Sequence, residues 1–143
     1  MTSEDPIAQM ISYNNHLIEQ FRANGGKVTG RFADAPLLLL TTTGAKSGEK
    51  RTTPLAHSTD GDNIIIIASY AGNPKHPQWY HNIRANPEVT IELPDQTFTA
   101  NAIIPEGEER QRLFDQQAEK MPAFAEYQAK TTREIPVIVI PRP

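Results

Sequence analysis

The chain has 143 residues, a net charge of -3, 12 prolines and no cysteine, which suits a single domain, 1–143, burying roughly two-thirds of its unfolded surface. The missing thiols exclude disulfides, thiolate nucleophiles, thiol-based zinc sites and cysteine-ligated iron–sulfur clusters. The acidic balance speaks against a nucleic-acid-binding surface, and without a basic, apolar leader in MTSEDPIAQM or a run near the ~20 residues of a membrane span, a cytoplasmic protein is expected.

From Pro6 to Ala23 the apolar residues Ile7, Met10, Ile11, Leu17, Ile18 and Phe21 recur at steps of three and four, which predicts an amphipathic helix stopped by Asn24-Gly25-Gly26. Such a stripe packs on its own domain. The sharper alternative is peripheral membrane contact, but Glu19 and a single Arg22 on the polar face do not make the lysine-rich face of interfacial helices. Short β-rich runs follow: Pro36 to Thr43, Arg51 to Ser58 and Asn63 to Ser69, with Asp60-Gly61-Asp62 turning between the last two. Pro54 cannot donate to a ladder, so its strand belongs at an edge or a bulge. Pro77 to Ala85 predicts a short helix opened by proline. Glu88 to Leu93 and Thr97 to Ile104 alternate as a hairpin, Glu106 to Lys120 is a charged helix, a second helix follows Pro122, and Ile135 to Ile140 is a last strand. About six strands with helices before, between and after them give an α+β fold whose sheet curls into a small barrel.

Several motifs fail on inspection. GGKVTGRF has phosphate-loop glycine spacing, but Arg31 and Phe32 stand where lysine and a hydroxyl residue are required. Ser47-Gly48 lacks the upstream glycine of a nucleophile elbow. His76 and His81 are five apart, which on a helix would point them to different faces, and His16 and His57 bring no ligand cluster, so no metal site is expected.

Two constellations survive. In GAKSGEKR, Lys46, Lys50 and Arg51 lie within six residues beside Ser47 and two glycines, with Thr41-Thr42-Thr43 before and Thr52-Thr53 after. Basic side chains flanked by hydroxyls and exposed amides hold phosphate; a merely solvated loop is the plain alternative. In ASYAGNPKHPQWYHN the small residues Ala68, Ser69, Ala71 and Gly72 let a flat ring approach the backbone, and Lys75, Trp79 and Tyr80 follow. Trp79, the one tryptophan, is either a core aromatic or the wall of a ring pocket. Together the loops suit an anionic, planar cofactor.

The strings GAKSGEKRTTPL, ASYAGNPKHPQWYHNIRANP and REIPVIVI resemble the deazaflavin-dependent nitroreductase family of actinobacteria, which uses coenzyme F420. The similarity runs from about Leu37 to Ile140. It implies a split β-barrel with the N-terminal helix and further helices packed around it, and a cofactor laid along a basic groove. Lys46 and Arg51 would grip the cofactor phosphate, with backbone contacts from Ala45, Ser47 and the run Thr52, Thr53, Pro54, Leu55 and Ala56. The deazaflavin ring would lie on Ile67, Ala68, Ser69 and Tyr70 and on the helix start Gln78, Trp79, Tyr80, His81 and Asn82, with Phe124 nearby. Two departures stand out: Tyr70-Ala71 replaces a frequent lysine-glycine, and Met121, Phe124 and Tyr127 occupy positions where nitroimidazole-reducing members carry several tyrosines, leaving one phenol.

The resemblance implies hydride transfer from reduced F420 to a quinone, a nitroaromatic or an activated enone, with Ser69 and Tyr127 as the candidates to bind the acceptor oxygen and relay a proton. Two alternatives keep the fold: an FMN-dependent oxidoreductase, as in pyridoxamine-phosphate-oxidase-like relatives, and a non-catalytic protein that binds or stores F420.

Overall fold

The computed structural model describes residues 6–30, 36–72 and 74–143. Helix α1 (Pro6–Ala23) forms where the apolar spacing predicts it and ends in a glycine cap, the Gly26 amide reaching the Phe21 carbonyl at 2.8 Å with Gly25 and Gly26 at φ +63° and +90°. Leu17, Ile18 and Phe21 are buried, the last two against Leu37, Leu39 and the partly buried Val28. Arg22 adds an ion pair to Glu92 at 2.8 Å. The stripe therefore packs on its own domain over its C-terminal half, whereas Ile11 is exposed. The side chains of Ile7 and Met10, like Arg31 and Phe32 of the failed phosphate loop, lie outside the described residues.

Strands β1 (Leu37–Thr43), β2 (Lys50–Ala56), β5 (Glu88–Leu93) and β6 (Gln96–Asn101) form one antiparallel sheet in the order β2-β1-β5-β6. Strands β3 (Ser58–Asp60), β4 (Asn63–Ile67) and β7 (Val137–Pro141) form a second, in the order β3-β4-β7. Pro54 sits on β2, an edge strand, where its missing N–H costs the ladder nothing. The single strand expected over Arg51 to Ser58 is in fact two. The His57 amide still reaches Pro36 at 3.0 Å, beside the first sheet, while Ser58 already pairs with Ile65 in the second. Local alternation carries no sign of such a change of sheet, so the described residues hold seven strands where about six were expected. On the opposite flank Ile103 and Val139 exchange two 2.8 Å backbone bonds, linking the continuation of β6 to β7.

The apolar runs LLLL and IIII are continuous because both of their faces are covered. Leu38 and Leu40 point with Ile64 and Ile66 into the main core, where Trp79, Tyr80 and Ile83 of α2 (Gln78–Ala85) join them. Leu37 and Leu39 face α1, and Ile65 and Ile67 face Leu113 and Phe114 of α3 (Gly107–Lys120). Truncating one of these fully buried leucines to alanine costs about 2–5 kcal/mol. Helix α4 (Ala123–Ala129) is fastened by the buried Arg110, which donates to the Ile135 carbonyl at 3.0 Å and to Gln128 Oε1 at 3.0 Å with its guanidinium 4.5 Å from the Phe114 ring.

Candidate functional site

The loop between β1 and β2 is closed internally, with the Gly44 amide donating to Glu49 O at 2.7 Å and the Gly48 amide to Gly44 O at 3.0 Å. A Cβ on Gly44 would meet Ser47 Oγ at 2.5 Å, so a side chain there would displace the serine that accepts the Glu49 amide at 3.1 Å. Residues Ala45 to Arg51 are exposed, and three cations against the one carboxylate of Glu49 leave the loop with a local charge of +2. Lys50 Nζ donates to Thr43 Oγ1 at 2.9 Å and Arg51 pairs with Glu49 at 2.9 Å. Both members of that pair are well exposed, so it contributes little and yields readily to a better anion. Lys46 has no hydrogen bond or ion pair among the described residues. Beside the loop, Thr41 Oγ1 and Thr52 Oγ1 share a 2.8 Å hydrogen bond. Thr52 to Ala56 run along an edge strand, whose outer backbone groups are unpaired in the sheet.

Asn82 joins the hairpin to α2. Its Oδ1 accepts from the Ala45 amide at 3.0 Å and from Gln78 Nε2 at 3.2 Å, and its Nδ2 donates to Thr42 Oγ1 at 3.1 Å. Trp79 and Tyr80 are buried in the core behind this helix, so the structure gives Trp79 the place of a core aromatic.

The exit of β4 lies on the other side. Ile67, Ala68 and Ser69 are buried. Tyr70 then turns outward at φ +47°, the one non-glycine residue with positive φ among those described. The Gly72 amide returns to Ser69 O at 2.9 Å. A Cβ on Gly72 would stand 2.9 Å from the Tyr127 carbonyl, so α4 is pressed directly on this turn. Ser69 and Tyr127 thus lie on adjoining segments. Phe124 and Tyr127 meet edge to face at 5.8 Å, partly buried against the cluster containing Ile65 and Ile67.

Arg133 fastens this exit, donating to Ala68 O at 3.2 Å, to Ser69 O at 2.7 Å and to His76 Nδ1 at 3.0 Å. An arginine can only donate, so His76 accepts there as a neutral imidazole. Burial, and then the charges of Arg133, His81 and Arg84, hold the His76 pKa below its ordinary value. The rings of His76 and His81 lie 5.8 Å apart. Helical spacing does not separate them, contrary to expectation, because His76 precedes α2. Sequence reasoning gave Arg133 no role, and no local signal could have supplied one, since its partners lie 57 to 65 residues earlier.

The hairpin, α2 and the β4 exit therefore form one contiguous chain of contacts, Ala45 to Asn82, Tyr80 to His76 (ring centroids 4.6 Å apart) and Arg133 to Ser69. The loop, whose Lys46 has no partner among the described residues, offers a place for an anion, and the small-residue strand exit beside exposed Tyr70 offers close approach to backbone.

Residues 14–142 match the sequence model described as F420H(2)-dependent quinone reductase. An F420H(2)-dependent quinone reductase of Mycobacterium tuberculosis is 40% identical over 126 residues, covering 85% of each chain. Among solved structures, an F420-H2 dependent reductase (FDR-A) aligns with TM-score 0.68 and 44% identity over 73% of this chain and 93% of its own. A domain-swapped dimer aligns with TM-score 0.70 and 39% identity over 95% of this chain and 99% of its own.

Proposed function

The chain belongs to the F420H(2)-dependent quinone reductase family, and on that footing we propose that it is a cytoplasmic oxidoreductase that uses reduced coenzyme F420 to reduce a quinone. The observation that carries this reading is the cationic hairpin joined through Asn82 to the helix that flanks the β4 exit. We read the two sheets, continuous through His57 and linked at Ile103–Val139, as a split barrel.

Lys46 and Arg51 would hold the cofactor phosphate, Ser47 and the edge residues Thr52 to Ala56 would offer backbone partners while the Ala45 amide is taken by Asn82, and Ile67 to Tyr70 with Gln78 and His81 would cradle the ring. Trp79 and Tyr80 brace that helix from the core side, and Phe124 packs on the α4 side against the cluster of Ile65 and Ile67. When bound, the reduced deazaflavin supplies a hydride to the acceptor. The chain's part is to orient, to exclude water and to place donors where charge develops on the acceptor oxygen. Ser69, whose carbonyl is fixed by Arg133 and the Gly72 amide, and Tyr127, whose backbone carbonyl abuts Gly72, are the residues we assign as donors to the acceptor oxygen. A nitroaromatic is a second acceptor class, reached through the same oxygen-binding groups. Membrane contact finds little support: the buried part of the α1 stripe faces the sheet, and no described helix is long and apolar enough to cross a bilayer.

The test is a fluorescence titration with F420. Lys46→Ala and Arg51→Ala should each weaken binding about tenfold, as expected for a lost charge-assisted bond, with a shallower salt dependence than the parent. Affinity unchanged in both variants, or FMN binding more tightly than F420, would overturn the assignment.

A further inference from the structure

We propose that Asn82 is a positioning residue, whose buried carboxamide fixes the basic hairpin in the shape that receives a phosphate, without itself touching the cofactor. This rests on the deazaflavin reading of the site and refines the expectation that Asn82 lies against the ring.

Asn82 is 2% exposed. Both acceptor positions of Oδ1 are used, by the Ala45 amide at 3.0 Å and Gln78 Nε2 at 3.2 Å, and Nδ2 is directed at Thr42 Oγ1 at 3.1 Å. Both Oδ1 positions are thus filled, and with the side chain 2% exposed its second Nδ2 hydrogen is withheld from a ligand by burial. The loop, by contrast, is exposed from Ala45 to Arg51, and its other hydrogen bonds stay within the β1–β2 hairpin: Gly44 to Glu49, Gly48 to Gly44, Glu49 to Ser47, Lys50 to Thr43 and Arg51 to Glu49. Among the described residues, the Ala45–Asn82 hydrogen bond is what ties this loop to α2. It fixes the Gly44–Ala45 peptide, one residue ahead of Lys46, and through Gln78 and Thr42 it sets the loop relative to the start of α2 and the end of β1. A loop held in this way meets its anion already ordered, which conserves affinity that would otherwise be lost in immobilising it.

The consequence is selective for the phosphate end of the cofactor. Asn82→Ala should raise the Kd of F420 about tenfold, while leaving that of a phosphate-free deazaflavin, with the ribityl chain ending in a hydroxyl, within about twofold. In turnover the KM for reduced F420 should rise with little change in kcat. Thr42→Val, a milder change that removes the Nδ2 acceptor, should give the same pattern at smaller amplitude and covers the case in which Asn82→Ala does not fold. Equal losses for both ligands would assign Asn82 a direct ring contact, and unchanged F420 affinity in both variants would remove its role altogether. Amide hydrogen exchange on the ligand-free wild type gives an arm independent of the cofactor assignment. Ala45 should exchange more slowly than Lys46 and Ser47, with its protection lost in the Asn82 variant. Equal rates across the three amides would overturn the proposal even if F420 binds, whereas slow Ala45 exchange with no F420 binding would overturn the deazaflavin reading and leave the hairpin tie standing.

Discussion

Arg133 Nη2 donates to the Ser69 carbonyl at 2.7 Å, bringing together residues 64 positions apart. With Nη1 on Ala68 O and His76 Nδ1, one guanidinium ties the segment entering β7 to the exit of β4 and to the residue ahead of α2. Lysine cannot reproduce the fork. Arg133→Lys is expected to lower stability by about 1–3 kcal/mol, measured by urea unfolding, and to reduce kcat for the acceptor more than it weakens F420 binding, because the displaced carbonyl belongs to Ser69. Equal effects on binding and kcat would assign Arg133 a purely structural role.

Tyr70 and Gly72 make opposite predictions from the same turn. A tyrosine at φ +47° costs about 1 kcal/mol, and the turn persists because Arg133 and the Gly72 amide fix its approach at Ser69. Tyr70→Gly should therefore stabilise the fold by up to about 1 kcal/mol. Gly72→Ala should destabilise it by more than about 1 kcal/mol, since its φ is +79° and its Cβ would meet the Tyr127 carbonyl at 2.9 Å. Thermal unfolding of the two variants checks both signs.

Burial holds the His57 pKa below its ordinary 6.5, and burial with the nearby cations does the same for His76. Below pH 6.5 the unfolded chain binds protons at these positions that the folded chain does not, so stability falls as pH drops through that value. His57→Leu also removes a buried Nδ1 that has no partner among the described residues. The variant should flatten the loss between pH 6.5 and pH 5, as read from urea midpoints at each pH.

Tyr127 is the phenol of α4, and Phe124 meets it edge to face at 5.8 Å. If it relays the proton to the acceptor oxygen, Tyr127→Phe keeps the packing, leaves the Kd of F420 unchanged and lowers kcat by about 10²-fold. Unchanged turnover would remove that role.

Much of this was legible in the sequence. The bounds of α1 followed from apolar spacing and the Asn24-Gly25-Gly26 stop, the β5–β6 pairing from alternation, and from Pro54 the choice of an edge or a bulge for β2, of which the sheet order shows the edge. The change of sheet at His57 was not legible, because pairing partners leave no mark on a strand's own pattern. In the site, the basic hairpin and the small-residue strand exit announced themselves locally. The ties that hold them, Ala45 to Asn82 and Ser69 to Arg133, join distant residues, and the Asn82 amide and the Arg133 fork look in sequence like ordinary polar side chains.

Quinone reduction by this chain is read out by mixing the protein anaerobically with reduced F420 and a water-soluble naphthoquinone and following reappearance of the oxidised deazaflavin chromophore. Enzyme-dependent oxidation of one F420H2 per quinone reduced is expected, with an elevated KM for F420H2 in Arg51→Ala. Tight F420 binding with no acceptor-dependent oxidation, or turnover with reduced FMN and none with F420H2, would contradict this function.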